Sequence, residues 1–521
     1  MTRRPPLLAL ATLLAALAVT AAPAAGSSTQ ESTFQDDNRL IYAPPERVRA
    51  TLDELASLGV DRLRITVVWA AVAPNPRSRA RPRFDAADPD AYPPGAWDRY
   101  EVVTREARAR GMDVSFNLTA PAPLWATGRP PREDVAETFE PSPQEFGAFA
   151  AAAGRRFDGA AGRTRVSHWS IWNEPNQSGW LTPQFADAGG GRFADAAPRL
   201  YRGLLDAAYG ALHATGHGRD TILIGETAPK GDASRGVKRR MKALVFVRGL
   251  YCIDAQGRPL TGRLAADLAC DPPDRFRARH PGLFDATGFA HHPYELLLDP
   301  STRQSDPDFV TLSSLGRLTK TLDAAFSLYG VARRLPLHLT EYGYQTDPPD
   351  ELSGVPYARQ AAYLNESEYL AWRDARVQTL AQFLLFDDGD PIGTTFQSGL
   401  RTFSGQAKPA LDAYRLPVWV ARPTVRRGAA LRVWGMLRSA PNGRPAGAVL
   451  QLRSGRSAEW RTVRQVRTTN PRGYFTTSFR LRSSGRVRVA YAQPGGDTAL
   501  SREVAVRAKP QPRKRKRRGR R

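Results

Sequence analysis

The sequence predicts an α/β fold, a closed (β/α)8 TIM barrel, followed by a small all-β sandwich. From residue 30 to residue 413, short β-rich apolar runs alternate with Ala- and Leu-rich stretches of helical period. This alternation is typical of a parallel sheet, and about eight such units close into a barrel. Beyond residue 416 the pattern changes to short alternating strands, which is typical of a sandwich.

Eight apolar runs are expected to form the barrel strands. One lies near Phe34, and the others cover 62–69, 112–118, 168–172, 221–225, 286–291, 335–339 and 381–386. Stretches of helical period between them cover 100–110, 144–157 and 197–215. An open doubly wound sheet is the alternative, but it would need a glycine-rich nucleotide turn after an early strand, and the sequence has none.

The sandwich is assigned to residues 416–507 and resembles an immunoglobulin-like domain. Its expected strands cover 418–420, 431–434, 448–452, 475–481 and 487–491. Its aromatic residues fit either the domain's core or a carbohydrate-binding face; the candidates are Trp419, Trp434, Trp460 and Tyr474. We favour a spacer over a carbohydrate-binding module, because alternating strands need aromatic residues in their core.

The N-terminus predicts a signal peptide over residues 1–25. Arg3 and Arg4 precede an apolar run over 7–20, and small residues suited to cleavage follow at 22–25. The run is short for a membrane span, although a retained anchor is the alternative. No later stretch is long and apolar enough to span a membrane, so we expect a secreted, extracellular protein without a transmembrane segment.

The positive charge is concentrated at the C-terminus. The formal net charge is +24, yet residues 415–507 hold 19 arginines against three acidic residues, and 509–521 add nine basic residues. The barrel region is therefore close to neutral. The tail over 508–521 is expected to be disordered, with an anionic cell-envelope polymer at the cell surface as candidate partner and a solubilising tail as alternative. No specific nucleic acid is expected, because no aromatic residues are interleaved with the charges.

Two cysteines, Cys252 and Cys270, are the only ones in the chain. In an exported protein such a pair is typical of a disulfide, with free buried thiols as the alternative. The spacing of His, Cys and Asp residues does not match a transition-metal site. We expect no metal and no cofactor.

Carboxylates follow two predicted barrel strands. Glu174 lies in Trp-Asn-Glu-Pro-Asn after the fourth strand, and Glu341 lies in Leu-Thr-Glu-Tyr-Gly after the seventh. Barrel enzymes place reactive groups at these strand ends. A retaining glycosidase needs two carboxyl groups, one to protonate the leaving oxygen and one to attack the anomeric carbon. Two strands that are far apart in sequence but face each other across a barrel mouth can provide this pair.

These motifs, in this order, resemble glycoside hydrolase clan A over about residues 32–413. Members of the clan have a (β/α)8 barrel and include cellulases, mannanases and β-xylosidases. The resemblance implies a retaining glycoside hydrolase with a β-linked carbohydrate as substrate, in which Glu174 is the acid/base and Glu341 the nucleophile. It also implies that Asn173 binds the sugar 2-hydroxyl.

Three further residues match the clan's pattern. His292 and Tyr294 match a His-x-Tyr after the sixth strand, in which the tyrosine orients the nucleophile. Arg64 resembles the second-strand arginine that keeps the nucleophile ionised, with Arg62 as a rival.

The sequence departs from the clan at two strand ends. Asn117 and Thr119 stand where many members have a histidine, and residues 383–388 contain no tryptophan. The identity of the sugar therefore stays open. Three tryptophans after strands are candidate sugar platforms, with core packing as the alternative: Trp69, Trp125 and Trp180. Glu226, at the end of the fifth strand, is expected to be structural, with a place in the wall of the cleft as the alternative.

Three other functions remain alternatives to hydrolysis. A transglycosylase would use the same two glutamates with a sugar hydroxyl in place of water. A catalytically silent barrel would only bind cell-surface polysaccharide. A wall-binding or nucleic-acid-binding protein would depend on the basic tail.

Overall fold

The structure is a computed structural model that describes residues 26–510, apart from 390, 392–394, 456, 458, 494 and 495. The predicted signal peptide lies outside the described residues. So does the basic tail beyond residue 510.

Eight parallel strands close into a barrel, which confirms the predicted fold. The barrel strands are β1 (Glu31–Gln35), β2 (Arg62–Val68), β3 (Asp113–Thr119), β4 (His168–Ile171), β5 (Thr221–Thr227), β6 (Gly288–His291), β7 (Leu337–Leu339) and β8 (Val377–Phe383). Each strand pairs with the next one along the chain, and β8 pairs with β1. All eight C-terminal ends therefore meet at one end of the barrel.

Helices surround the barrel and cover its outer face. They are α1 (Asp37–Leu40), α2 (Pro45–Ser57), α3 (Trp69–Val72), α4 (Asp98–Ala109), α5 (Pro143–Arg156), α6 (Ala197–Leu212), α7 (Ala243–Leu250), α8 (Gly262–Asp267), α9 (Pro273–Arg279), α10 (Pro281–Asp285), α11 (Leu315–Leu328), α12 (Tyr357–Arg373) and α13 (Pro409–Arg415). The start of α5 shows how the sequence sets such ends. The Ser142 side chain accepts a hydrogen bond from the Glu145 N–H, and Pro143 occupies the first turn.

Side chains of β2 alternate between two environments. Leu63, Ile65 and Val67 are fully buried in the hydrophobic core. Arg64 and Thr66 face the other way and line a cavity at the C-terminal end of the barrel. Successive side chains of a β-strand point to opposite faces, so apolar residues at every second position of β2 predict this arrangement.

Several strand ends differ from the prediction by a few residues, and two of the differences have a clear local cause. The run expected over 62–69 ends one residue earlier, because Trp69 begins α3. The run expected over 381–386 is β8, which begins at Val377 and ends at Phe383. Leu384 has a φ of 74°, a left-handed conformation that cannot continue a strand.

The C-terminal region contains two sheets of short strands. The strands are β9 (Val418–Trp419), β10 (Thr424–Arg426), β11 (Ala430–Met436), β12 (Ala446–Ser454), β13 (Arg461–Thr468), β14 (Tyr474–Arg480), β15 (Gly485–Ala492), β16 (Thr498–Leu500) and β17 (Val504–Lys509). The smaller sheet has the order β9-β11-β14, and the larger has β10-β17-β15-β12-β13, with β16 paired to β15. Their inner faces share one apolar core, as in a sandwich.

The sandwich packs against the barrel at the end opposite the cavity. Arg438 forms a buried ion pair with Glu368 on α12, and Arg472 lies 3.1 Å from Glu31 at the start of β1. The aromatic rings of Trp434 and Tyr474 pack against α12 in the same interface. These two residues are therefore packing residues, which favours the spacer interpretation.

A glycine allows a close approach between the two parts. Gly59 has a φ of 80°, and a Cβ atom at this position would lie 2.0 Å from the Arg438 carbonyl oxygen. Only glycine fits both constraints.

The predicted disulfide between Cys252 and Cys270 is present and closes the segment between α7 and α9. Within the part of the chain that the structure describes, no helix combines the length and apolar character needed to cross a bilayer.

Candidate active site

A cavity of about 530 Å³ opens at the C-terminal ends of the barrel strands. Both predicted catalytic carboxylates line it. Side chains from at least five strands or their following loops contribute to its wall, among them Gln35, Arg64, Thr66, Asn173, Glu174, Tyr294, Glu341 and Phe383. Such a convergence of polar groups in a concave site is typical of a barrel active site.

His292 joins the two carboxylates. Its Nδ1 lies 2.9 Å from Glu174 Oε1 and 3.0 Å from Glu341 Oε2. The three side chains each offer an atom within 4.8 Å of the others. One oxygen of each carboxyl group therefore lies within 4.8 Å of the other. Retaining glycosidases hold their carboxyl groups about 5–5.5 Å apart, and inverting ones hold them farther apart.

The backbone at the ends of β4 and β5 is strained. Trp172, Glu174 and Glu226 have φ values of 69°, 37° and 44°, in a region that non-glycine residues rarely occupy. The Glu174 N–H donates to the Glu226 carbonyl oxygen at 2.9 Å. Asn176 ties the same two loops together, because its side chain bonds the backbone of Ala228 through both N–H and C=O. The last asparagine of the Trp-Asn-Glu-Pro-Asn motif therefore positions Glu174.

Glu226 is the residue whose role the sequence reasoning underestimated. Its carboxylate is fully buried and accepts hydrogen bonds from His292 Nε2 at 2.6 Å and from the Thr340 hydroxyl at 2.7 Å. It also contacts the Ser170 hydroxyl and forms an ion pair with Arg64 at 3.2 Å. Its place after a barrel strand was visible in the sequence, but its partners come from four other strands or their ends.

Arg64 lies between Glu226 and Glu341. Its guanidinium is 3.6 Å from Glu341 Oε1 and donates to Asn173 Oδ1 at 2.6 Å. The rival Arg62 pairs with Glu31 and Asp113, at the opposite end of the barrel. Arg64 and Arg62 are two residues apart on β2, yet Arg64 lines the cavity whereas Arg62 links the N-terminal ends of neighbouring strands.

The charges of this cluster shift the pKa values of its members. Burial alone would raise the pKa of Glu226, but the charge of Arg64 and the hydrogen bond from His292 outweigh burial and lower it to about 2. Burial likewise opposes ionisation of Glu341, yet His292 and Arg64 lower its pKa. The pKa of His292 is raised well above its usual value against the effect of burial, chiefly by Glu341.

These directions give a simple charge balance. Arg64 and His292 carry one positive charge each, and Glu226 and Glu341 carry one negative charge each. These four charges cancel, and a buried cluster is most stable when its charges are paired.

Tyr294 lies in the cavity beside the cluster, and its ring stacks on Tyr342 at a centroid distance of 6.0 Å. Burial and the negative charges of Glu341 and Glu174 raise its pKa, so it stays a neutral hydroxyl. A neutral tyrosine can donate a hydrogen bond to the carboxylate.

Asn117 and Thr119 stand where many clan A members have a histidine, and here they support the end of β4. Asn117 Nδ2 donates to the Trp172 carbonyl oxygen at 2.6 Å. The Thr119 hydroxyl accepts a hydrogen bond from the Asn173 N–H at 2.9 Å. Both side chains are fully buried, so they hold the end of β4 rather than contact a substrate.

The three candidate tryptophan platforms lie in different environments. Trp180 is half-buried and lines the cavity. Trp69 is fully buried and stacks on Phe149, so its prediction as a sugar platform is wrong. Trp125 is largely buried, donates its indole N–H to the Pro74 carbonyl oxygen and packs against Trp69 away from the cavity wall. The prediction of Trp125 as a sugar platform is therefore also wrong, because an apolar residue after a strand can pack into the core instead.

One side of the cavity mouth is apolar. Nine large apolar side chains are well exposed in the described residues, and seven of them lie on loops after β1, β6, β7 and β8: Tyr42, Leu296, Leu297, Leu298, Leu352, Phe396 and Phe403. Three of these, Tyr42, Leu296 and Phe396, line the cavity itself. Exposed apolar side chains at the edge of a cavity are typical of a binding surface.

Glu174, His292 and Glu341 form the one group in the described residues with a geometry that could hold a metal ion. A metal-bound histidine must offer an unprotonated ring nitrogen. Here Nε2 faces the Glu226 carboxylate and Nδ1 faces Glu174 and Glu341, and the raised pKa of His292 keeps protons on both nitrogens. This environment suits a hydrogen-bond donor better than a metal ligand.

No protein-family model matches the sequence, and no curated protein matches it either. Solved structures do resemble the fold. A glucosidase from Croceicoccus marinus has a TM-score of 0.47 and 13% identity, with 92% of this chain and 97% of that one covered.

Two further structures are similar at the same level. A hyperthermophilic beta-glucosidase from Pyrococcus furiosus has a TM-score of 0.42 and 17% identity over 70% of this chain and 82% of that one. A GH30 endoxylanase from Clostridium papyrosolvens has a TM-score of 0.44 and 10% identity over 88% of this chain and 96% of that one. Similarity this low does not transfer an activity. The chain's own fold and site define a (β/α)8-barrel protein with paired carboxylates in its C-terminal cavity.

Proposed function

We propose that this protein is a retaining glycoside hydrolase that cleaves β-linked O-glycosidic bonds of oligo- or polysaccharides. Glu174 acts as acid/base and Glu341 as nucleophile. The observation that carries this proposal is the meeting of both carboxylates on His292, with the three donor or acceptor atoms within 4.8 Å in an open cavity. Resemblance to glycoside hydrolase clan A supports the same assignment.

The first step forms a covalent intermediate. A Glu341 carboxylate oxygen bonds to the anomeric carbon, while the bond from that carbon to the leaving oxygen breaks. Glu174 gives its proton to the leaving oxygen. Arg64, at 3.6 Å, keeps Glu341 ionised before attack, and Asn173 is held beside it for a sugar hydroxyl.

The second step releases the sugar with its original configuration. Glu174, now ionised, takes a proton from a water molecule whose oxygen bonds to the anomeric carbon. The ester bond to Glu341 breaks and returns that carboxylate. His292 contacts both carboxylates, so it can favour whichever of them carries the negative charge at each stage.

Hydrolysis is preferred over a catalytically silent barrel because the charged cluster is complete and lines an open cavity. Transglycosylation uses the same two steps with a sugar hydroxyl replacing water. The products distinguish it from hydrolysis, since it yields longer glycosides.

We also propose that the protein is exported, on the strength of the N-terminal 25 residues. The Cys252–Cys270 disulfide supports this, because disulfides persist in oxidising compartments. Cell fractionation tests it directly: the mature chain should lie outside the cytoplasm and lack its first residues.

The activity is tested with aryl β-glycosides and soluble glucans, xylans, mannans and galactans. Aryl leaving groups suit the apolar mouth. Wild type should hydrolyse at least one substrate, and Glu174→Gln and Glu341→Gln should each lose at least about a hundredfold in rate. Polymer binding without turnover by wild type would contradict the proposal and favour the silent barrel. Full activity in Glu341→Gln would show that another residue is the nucleophile.

A further inference from the structure

The sandwich carries an uneven charge that the barrel chemistry does not use. Residues 416–507 hold 18 arginines against three acidic residues, whereas the barrel region is close to neutral. A solubilising role needs only a mixed charged surface, and a field of one sign is more typical of steering or binding an oppositely charged partner.

The strand register gathers arginines on the outer face of the larger sheet. Arg453 on β12 lies opposite Arg486 on β15, and Gln451 lies opposite Arg488. Since residues two apart in a strand share a face, these four side chains project from one surface. On β17, Ala505 lies opposite Arg486, so Arg507, two residues further along, projects from the same surface.

The centre of this face is organised around one aromatic ring. The guanidinium groups of Arg488 and Arg453 lie 4.1 and 4.9 Å from the centroid of Trp460. Arg488 Nε donates to Gln451 Oε1 at 2.9 Å, which fixes the plane of its guanidinium. Among the described residues, the two terminal amino groups of Arg488 have no hydrogen-bond partner.

Like charges are held close together here. Arg453 and Arg486 share a single acid, Glu503, at 2.9 and 3.5 Å. Partial burial and the positive charge of Arg453 lower the pKa of Arg488. A cluster with more fixed cations than anions gains stability from an added anion, and arginine forks match carboxylates in particular.

We propose that the outer face of the larger sheet, centred on Arg453, Trp460 and Arg488, binds a carboxylate-bearing acidic polysaccharide. This face lies in the folded domain and is distinct from the basic tail. Because the sandwich packs on the barrel end opposite the cavity, the polymer anchors the protein while the active site stays open.

The shape of the face favours a polysaccharide over nucleic acid. A flat sheet has no projecting helix or ribbon to enter a duplex groove. Single strands bind through free aromatic rings on which bases stack, and Trp460 is already occupied by two guanidinium groups.

The test measures binding of the full-length chain to polygalacturonate, with dextran and a DNA oligonucleotide as comparison ligands. Wild type is compared with Arg453→Gln/Arg488→Gln. The matched control is Arg432→Gln/Arg480→Gln, which removes two exposed arginines from the smaller sheet. All three proteins keep the tail, and equal melting temperatures show that folding is unaffected.

We expect polygalacturonate binding by wild type, no binding to dextran, and an affinity loss of about tenfold in the first variant but under about twofold in the control. Equal losses in both variants would overturn the site, since they would indicate unspecific charge. Undiminished binding in both would assign binding to the tail. Failure of wild type to bind polygalacturonate, or tighter binding to DNA that the first variant loses, would also overturn the proposal. None of these outcomes depends on hydrolysis.

Discussion

At the scale of single residues, His292 explains why three carboxylates can share one buried site. Its two ring nitrogens contact Glu226 on one side and the Glu174–Glu341 pair on the other. Glu341 and Glu226 together keep the imidazole charged, and the imidazole in turn lowers the pKa of Glu341. The location of Glu174 and Glu341 in the cavity could be predicted from motifs, because a few contiguous residues after a strand define it. Glu226 could not, because its importance depends on side chains from strands far apart in sequence.

Replacement of Arg64 by Gln should shift the pH dependence of activity. Arg64 lowers the pKa of Glu341, so without its charge the nucleophile becomes protonated at higher pH. We expect the acid limb of the kcat/KM profile to move up by about one pH unit.

Arg62→Gln serves as the matched control, because Arg62 lies two residues away on the same strand but pairs at the other end of the barrel. It should leave the acid limb in place. An unchanged limb in Arg64→Gln would mean that Arg64 is only structural.

Glu226→Gln should destabilise the protein in a pH-dependent way. The substitution leaves Arg64 and His292 buried without their shared counter-charge, which costs about 3 kcal/mol near pH 7. The pKa of Glu226 is lowered to about 2 in the folded protein, so its contribution is complete above the usual carboxyl range and is lost as the pH falls toward 2. Denaturant unfolding should therefore show a larger difference from wild type at pH 7 than at pH 3. The same difference at both values would show that the charge of Glu226 does not matter.

At the scale of elements, the strand positions were predictable, whereas some of their ends were not. Apolar runs with helical stretches between them were enough to place all eight strands. The prediction that β8 extends to residue 386 was wrong, because the apolar run continues past the turn at Leu384. Trp69 was misjudged for a related reason: the sequence shows that it follows a strand, but not that α3 turns it into the core.

The disulfide belongs to a peripheral element and should affect stability rather than catalysis. Cys252 and Cys270 are 18 residues apart, and closing a segment of this length stabilises the folded state by about 3 kcal/mol in the loop-entropy model. Cys252→Ser/Cys270→Ser should therefore lower the melting temperature while kcat and KM at 25 °C stay within about twofold. A large fall in kcat would show that the segment supports the cavity.

At the scale of the whole molecule, barrel and sandwich form one packed unit with the active site at the far end. The division into two regions was predictable from the change in pattern near residue 416. Their arrangement was not, because it depends on pairs such as Arg438–Glu368 and Arg472–Asp61 that no local pattern reveals.

Replacement of Arg438 by Met should weaken this unit without affecting catalysis. It leaves Glu368 buried and unpaired, which costs about 3 kcal/mol. We expect a lower melting temperature and wild-type kcat/KM at 25 °C, since the interface is remote from the cavity. A double variant with Glu368→Gln should recover part of the loss. A variant with normal stability would show that the ion pair does not hold the two parts together.

The stereochemistry of the first product tests the central claim most directly. Glu174 and Glu341 both contact His292 and each offers an oxygen within 4.8 Å of the other, whereas inversion needs carboxyl groups far enough apart to hold a water molecule between them. Proton NMR of a β-glycoside during the first minutes of hydrolysis should show the β-anomer appearing first, followed by mutarotation to the α-anomer. Initial release of the α-anomer would contradict the double-displacement mechanism and the assignment of Glu341 as nucleophile.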